Sequence, residues 1–190
     1  MRVITGTARG RKLKEPAGRD IRPTSDLVKE SMFNICQFDV EGRRVLDLFG
    51  GTGQLGIEAA SRGAGQVVIV DRSREAVELI RENVRRTGLS VSVRQSDALD
   101  YLSSCGRFDL IFLDPPYAAY LAEEALWKIK GFDILSNGGI ILCETDAKTT
   151  LPELDAPYRK RREYRYGKVK LTLYEKESQC YDDSDLPGQR

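Results

Sequence analysis

Arg44-Val45-Leu46-Asp47-Leu48-Phe49-Gly50-Gly51-Thr52-Gly53 decides how this chain folds. The apolar first half reads as a buried strand, and the glycine-rich second half is a tight turn opening a helix over about 54–62. The same succession then repeats. Residues 66–70 form a second strand ending at Asp71, and a helix over about 74–86 carries Ala76, Val77, Ile80 and Val84 along one side. Residues 89–93 alternate as a third strand leading to Ser96-Asp97-Ala98. A fourth strand, Phe108-Asp109-Leu110-Ile111-Phe112-Leu113, stops at Asp114-Pro115-Pro116-Tyr117, and a helix over about 119–130 precedes a fifth strand over 138–144. Strand and helix alternating in this way predict an α/β fold: a Rossmann-like, mostly parallel, twisted sheet with helices on both faces. Two further strands over 158–166 and 168–174, turned at Gly167, bring the sheet to seven.

Upstream, residues 1–22 read as a basic N-terminal β-hairpin arm, with Gly6 and Gly10 at turns and Arg9, Arg11, Lys12 and Lys14 supplying charge. Such an arm can follow a phosphate backbone, and it equally suits a mobile terminus. Arg22-Pro23-Thr24-Ser25-Asp26 starts a helix that ends near Gln37, with apolar residues at 28, 32, 33, 35 and 36 mostly along one face. Residues 176–190 read as a disordered acidic tail, and 23–175 as the single main domain.

The 190 residues carry a net charge of +1, but unevenly. Residues 1–30 hold a net +4 and residues 159–170 a net +6, against −6 in between and −3 after 170. Basic ends around an acidic middle point to a polyanion-gripping surface beside a domain with another task, although charge runs are often only solvated faces. Histidine is absent, which excludes Ser-His-Asp and Cys-His catalysis. Cysteines at 36, 105, 143 and 180 have no paired spacing, so they read as reduced thiols of a cytoplasmic protein without a metal site. No apolar run reaches membrane-spanning length.

In open parallel sheets, ligands sit beyond the carboxyl ends of the strands, where the strand order reverses. Asp47 to Gly53, Asp71, Asp97 and Asp114 to Tyr117 all fall there. The glycines allow close backbone approach, the helix N-terminus suits a carboxylate, and Asp71 suits the two hydroxyls of a ribose. Glycines alone leave NAD open, since Gly51, Gly53 and Gly56 come close to the dinucleotide fingerprint. Asp47 and Asp97 fit a cationic, amino-acid-bearing nucleoside better, S-adenosylmethionine being one. Each also reads as structural, as a loop brace and a helix cap. The Asp-Pro-Pro-Tyr turn offers acceptors and a ring, suited to gripping the exocyclic amino group of a flat heterocycle.

Asp47-Leu48-Phe49-Gly50-Gly51-Thr52-Gly53 resembles the first motif of class I S-adenosylmethionine-dependent methyltransferases. Asp114-Pro115-Pro116-Tyr117 resembles the fourth motif of enzymes that methylate exocyclic amino groups of bases. Arg22 to Asp26, Val28-Lys29-Glu30, Phe33-Asn34, residues 57–64 and Tyr166-Gly167 resemble the bacterial 16S rRNA guanine-N2 methyltransferase family. The resemblance implies methyl transfer to a guanine N2 of small-subunit rRNA by a monomer acting on 16S rRNA or the assembled subunit, with no metal and no membrane. It implies catalytic roles for Asp114, Pro115, Pro116 and Tyr117. Cofactor contacts fall at Asp47, Phe49, Gly51, Gly53, Asp71, Arg72, Asp97 and Ala98, with Asp97 at the adenine amino group. RNA contacts fall at Arg9, Arg11, Lys12, Arg22, Lys29, Asn34, Arg161 and Arg162, with Tyr164 and Tyr166 as stacking rings. Two residues depart from the family pattern: Leu27 replaces a basic residue, and Gly50 replaces alanine, which is expected only to loosen the loop. A DNA adenine-N6 methyltransferase would use the same turn, and a noncatalytic RNA-binding module on this fold is a third reading. A glutamine methyltransferase acting on a release factor would carry Asn in place of Asp114.

Overall fold

The computed structural model describes residues 1–16, 26–116 and 119–178. Its elements run α1 (Asp26–Ile35), β1 (Arg44–Asp47), α2 (Gln54–Ser61), β2 (Gln66–Asp71), α3 (Arg74–Thr87), β3 (Ser92–Gln95), α4 (Ala98–Leu102), β4 (Phe108–Leu113), α5 (Ala119–Gly131), β5 (Leu135–Asp146), β6 (Tyr158–Tyr166) and β7 (Val169–Lys176). They build one seven-stranded sheet in the order β3-β2-β1-β4-β5-β7-β6. The first five strands are parallel, and β7 runs antiparallel to both its neighbours. The strand order reverses between β1 and β4, so the crevice beyond their carboxyl ends is the place this topology offers a ligand.

Alternation along each strand sends its apolar residues into two cores. Leu46, Val70, Ile111, Leu113 and Ile141 pack beneath Leu102 of α4 and Leu126 and Ile129 of α5. Val45, Ile69, Phe112, Leu142 and Leu171 pack beneath Met32 and Phe33 of α1, Ile57 of α2 and Ile80 of α3. Phe33 and Phe112 meet at a ring-centroid distance of 5.3 Å, which seats α1 over the end of β4. No helix among the described residues is long and apolar enough to cross a membrane.

Several boundaries differ from those expected. α3 runs to Thr87 and closes on Gly88 in the left-handed region, whose N–H returns to the Val84 carbonyl. That turn uses up residues 88–91, so β3 begins at Ser92, while Leu89 and Val91 pack against the second core from the loop. α4 is unanticipated, because its five residues are too few to show a helical period. β5 starts three residues before its glycine pair: Gly138 at φ 71° and a register shift against β4 mark a bulge within the strand. β7 extends through Lys176, one residue past the expected boundary of the domain, and residues 179–190 of the expected tail lie outside the described residues.

The N-terminal arm is docked on the domain. Arg2 and Lys12 form an antiparallel bridge, and Val3, Ala8 and Leu13 are buried in the second core. Glu58 of α2 accepts the N–H groups of Ile4 at 2.7 Å and Thr5 at 2.9 Å, and its other neighbour is the Arg62 guanidinium at 2.9 Å. Ser61 donates to the Thr5 carbonyl and accepts from Ala8 N–H. Gly6 crosses so close to the end of α2 that a Cβ there would lie 1.7 Å from the Ser61 carbonyl oxygen.

Lys29 belongs to this junction and not to an RNA-facing surface. Its side chain is fully buried, its ammonium donates to the Arg2 carbonyl at 2.7 Å, and Glu58 lies 3.9 Å away. Burial pushes its pKa down, while Glu58 and Asp26 oppose the shift. A buried ammonium gripping a carbonyl of the arm is a structural tie, out of reach of a polyanion. Lys29→Ala is therefore expected to cost about 3 kcal/mol of unfolding free energy, the scale for removing one partner of a buried ion pair. Lys29→Met keeps most of the volume and should cost less. Urea denaturation of the two variants checks both the size and the order.

Candidate active site

Three carboxylates converge where the strand order reverses. Asp47 ends β1, Asp71 ends β2, and Asp114 follows β4 directly. Asp47 is only 1% exposed, and its Oδ2 accepts the N–H of Gly56 in the first turn of α2 at 2.9 Å. Its Oδ1 is buried and has no hydrogen-bond partner among the described residues. Burial drives its pKa up to about 8; the Gly56 N–H opposes this, and the charges of Asp114 and Asp71 add to it. The neighbouring carboxylates thus act on Asp47 as like charges, and the site is one that a cation would relieve.

Asp71 braces the turn. Oδ2 accepts the Gly51 N–H and Oδ1 accepts the Ser73 N–H, both at 2.8 Å. Each oxygen keeps a second lone pair for another donor. Gly51 has φ 56° and Gly53 φ 79°, backbone conformations that suit glycine, and a Cβ on Gly51 would meet nothing nearer than the Phe49 carbonyl oxygen at 4.0 Å. The loop therefore has open space on one side. Asn83 of α3 closes its other side by donating to the Thr52 carbonyl at 3.0 Å.

Gly50 behaves differently from the expectation of a looser loop. A Cβ there would stand 2.4 Å from Cγ2 of Ile69 and 2.9 Å from Cδ1 of Ile80. The two isoleucines occupy the space an alanine methyl would need, so this glycine is a packing requirement of this chain.

The remaining expected residues fall as follows. Asp97 is exposed and caps α4, with Oδ1 accepting from Leu99 N–H at 2.8 Å and Asp100 N–H at 3.4 Å, while Ala98 beside it is buried. The helix-cap reading of Asp97 is thus realised, at a strand end facing the same side as Asp71. Phe49 is half-buried against the first core, and Arg72 is exposed. Asp114 and Pro115 are half-buried and Pro116 is exposed; Tyr117 and Arg22 lie outside the described residues. Arg9, Arg11, Lys12 and Asn34 are exposed, with Arg11 donating to the Arg86 carbonyl at 3.3 Å.

The basic hairpin is partly neutralised. Arg161 pairs with Glu175 at 2.9 Å, Lys160 with Glu153 at 2.7 Å, and Lys170 with Glu163 at 2.9 Å, while Arg159 pairs with Glu177. Arg162 lies over the Tyr164 ring at 5.2 Å. Both Tyr164 and Tyr166 are half-buried against the second core, which limits the ring surface they offer to a base.

Sequence reasoning passed over Glu144. It lies near the carboxyl end of β5, and the strand-end rule that picked out Asp47, Asp71 and Asp114 applies to it equally. Asn83 gave no such signal, because a lone asparagine on an amphipathic helix carries none.

A parallel sheet reversing at β1 and β4, a glycine turn braced by acidic strand ends and a proline-stopped β4 define the class I methyltransferase type of α/β domain. The chain belongs to the family described as Conserved hypothetical protein 95, which it matches over residues 1–175. It is 38% identical over 182 residues to YlbH of Bacillus subtilis strain 168, covering 93% of this chain and 99% of that one. It is 32% identical over 187 residues to the ribosomal RNA small subunit methyltransferase D of Escherichia coli strain K12, covering 97% and 94% of the two chains. Among solved structures it is similar to the Thermus thermophilus 16S rRNA N2 G1207 methyltransferase in complex with AdoMet and guanosine. The TM-score is 0.67 and the identity 25%, over 85% of this chain and 44% of that one.

The raised pKa of Asp47 makes the ligand-free protein pH-sensitive in a defined direction. Below about pH 4 both folded and unfolded Asp47 are protonated; between there and about pH 8 only the unfolded chain ionises. Stability is then lost as pH rises, by about 1.4 kcal/mol per unit, and levels off above pH 8. Asp47→Asn should flatten this dependence in urea unfolding curves taken from pH 5 to pH 8. An unchanged slope would mean that the carboxyl is ionised in the fold.

Proposed function

We propose that this chain methylates the exocyclic N2 amino group of a guanine in 16S rRNA, using S-adenosylmethionine. The observation that carries the reading is the convergence of Asp114 with Asp47 and Asp71 at the β1/β4 crevice. The small-subunit rRNA methylation for which the Escherichia coli relative is named, and the N2 methylation of a 16S guanine for which the Thermus neighbour is named, support it.

The residues fit the cofactor. The buried carboxyl of Asp47, whose Oδ1 has no hydrogen-bond partner among the described residues, would ionise on meeting a cationic donor, which relieves the crowding of carboxylates. The open side of Gly51 admits a ligand to the backbone. Asp71 retains lone pairs for ribose hydroxyls, and Asp97 would hold the adenine amino group. When bound, S-adenosylmethionine supplies a methyl group already activated by its positive sulfur; the carbon–sulfur bond breaks as the carbon–nitrogen bond forms, and S-adenosylhomocysteine leaves.

The protein must then solve the problem of a poor nucleophile. An aromatic amine delocalises its lone pair into the ring. Asp114 and the Pro115 carbonyl accept its two N–H groups, which holds the nitrogen in line and localises the lone pair. The proton released on bond formation leaves through the Asp114 carboxylate to solvent. The Asp-Pro-Pro-Tyr motif gives Tyr117 the role of stacking on the extruded base. Arg9, Arg11, Lys12 and Arg162 are exposed and would supply phosphate contacts.

Transfer of labelled methyl to small ribosomal subunits lacking the modification, followed by nucleoside identification, tests the proposal. Label on a guanine N2 is the expected result. Asp114→Ala should lower transfer by at least about 10³-fold, since acceptor and orienter are lost together, while cofactor binding stays within a few-fold. Label on DNA adenine N6 would instead keep the turn and overturn the substrate.

A further inference from the structure

We infer that Glu144 is a specificity-determining residue that reads the N1–H of the target guanine beside Asp114. The inference rests on the guanine reading above and deepens it. β4 and β5 pair in parallel with Leu110 opposite Ile140, Ile111 opposite Ile141, Phe112 opposite Leu142 and Leu113 opposite Cys143. The next pair in this register is Asp114 and Glu144. Neighbours in register share a sheet face about 4.8 Å apart, so two carboxyl side chains stand next to each other on the face that carries Phe112 and Leu142. Both lie near the buried Cys143 thiol, whose pKa they help to raise. Glu144 is half-buried, with Oε2 shielded from solvent.

The row continues across the sheet. Glu144 is opposite Leu171 on β7, and Leu171 is opposite Tyr164 on β6. α1 covers the same face through the Phe33–Phe112 contact and presents Asn34, which is exposed, from the next position. The slot beside Asp114 is therefore walled by an acidic side chain on the side away from Asp47.

Base chemistry gives that wall a purpose. Guanine presents two adjacent donors on its Watson–Crick edge, the N2 amine and N1–H, and an ionised carboxylate is an acceptor only. With Asp114 on the amine, a second carboxylate one strand over is complementary to N1–H. Adenine and 2-aminopurine instead carry a lone pair at N1, which a carboxylate repels. A site built to receive an N–H rejects the analogue lacking it by roughly 10⁴-fold, because the lone pair at N1 then faces the carboxylate.

The test uses the full chain with small subunits reconstituted from 16S rRNA carrying either guanine or 2-aminopurine at the nucleotide that the labelling experiment identifies. Both bases offer a 2-amino group; they differ at N1 and at C6, where 2-aminopurine lacks the O6 carbonyl, so the Glu144 variants assign the discrimination to N1. Wild-type enzyme is expected to prefer guanine by at least about 10³-fold in kcat/KM. Glu144→Gln, whose amide can donate to N1, is expected to lose about 10²-fold on guanine and to narrow the preference by about 10²-fold or more. Glu144→Asp should keep the order of preference. Wild-type enzyme that methylates 2-aminopurine as well as guanine overturns the inference without any variant, as does an equal fall on both bases in Glu144→Gln. Failure of wild-type enzyme to label guanine at all overturns the parent reading, and this inference falls with it.

Discussion

Everything at the crevice depends on carrying Asp47 into the interior at the end of β1. An isolated carboxylate there is costly. Part of that cost is offset by the Gly56 N–H and the positive end of α2 behind it, which ties β1 to α2 across the glycine turn. Part is left uncompensated, as the unpartnered Oδ1 and the raised pKa show. A fold that keeps such a group unsatisfied stores a preference for a donor ligand at that place, and Asp71 adds to it by fixing the Gly51 N–H. Two carboxylates thereby shape the loop and leave one buried oxygen without a donor among the described residues.

The second dependence runs through the arm. Glu58 lies two residues beyond Gly56 on α2 and is fully buried, yet two arm N–H groups and the Arg62 guanidinium surround it. Lys29 joins from α1. Asn83 then ties the arm to the loop itself, accepting the Lys14 N–H at 2.7 Å and donating to the carbonyls of both Lys14 and Thr52. The basic hairpin bridge at Arg2 and Lys12 is thus held by the same helix whose N-terminus faces the crevice. The arm and the glycine loop meet on α2 and α3, which makes the arm part of the site's frame.

The alternation of strands and helices was readable because buried parallel strands and amphipathic helices announce themselves by period, and the acidic strand ends followed from topology. Residues whose role is set by partners far along the chain were not readable. Lys29 looks like a surface cation in a short helix and becomes buried only because the Arg2 carbonyl and Glu58 arrive from elsewhere. Gly50 looks like a loosened alanine until Ile69 and Ile80 are seen to fill the space. α4 is too short for periodicity, and β5 hides three of its residues behind a bulge glycine.

Charge shows the same limit most clearly. Counted along the chain, residues 159–170 form a strong basic block. In the sheet, β7 and neighbouring loops bring Glu175, Glu177 and Glu153 against it, and Glu163 within it takes Lys170. The exposed pairs of Arg159 and Arg161 contribute little to stability, yet each lowers the local positive potential and holds a side chain that would otherwise search for a phosphate. Arg162, Arg165 and Lys168 have no acidic partner among the described residues, and they cluster toward the Gly167 turn, where β6 and β7 project past the level of Asp114. Pairing thus concentrates the positive potential of a long strand toward the turn, on the side of the sheet where the carboxyl ends of β4 and β5 lie.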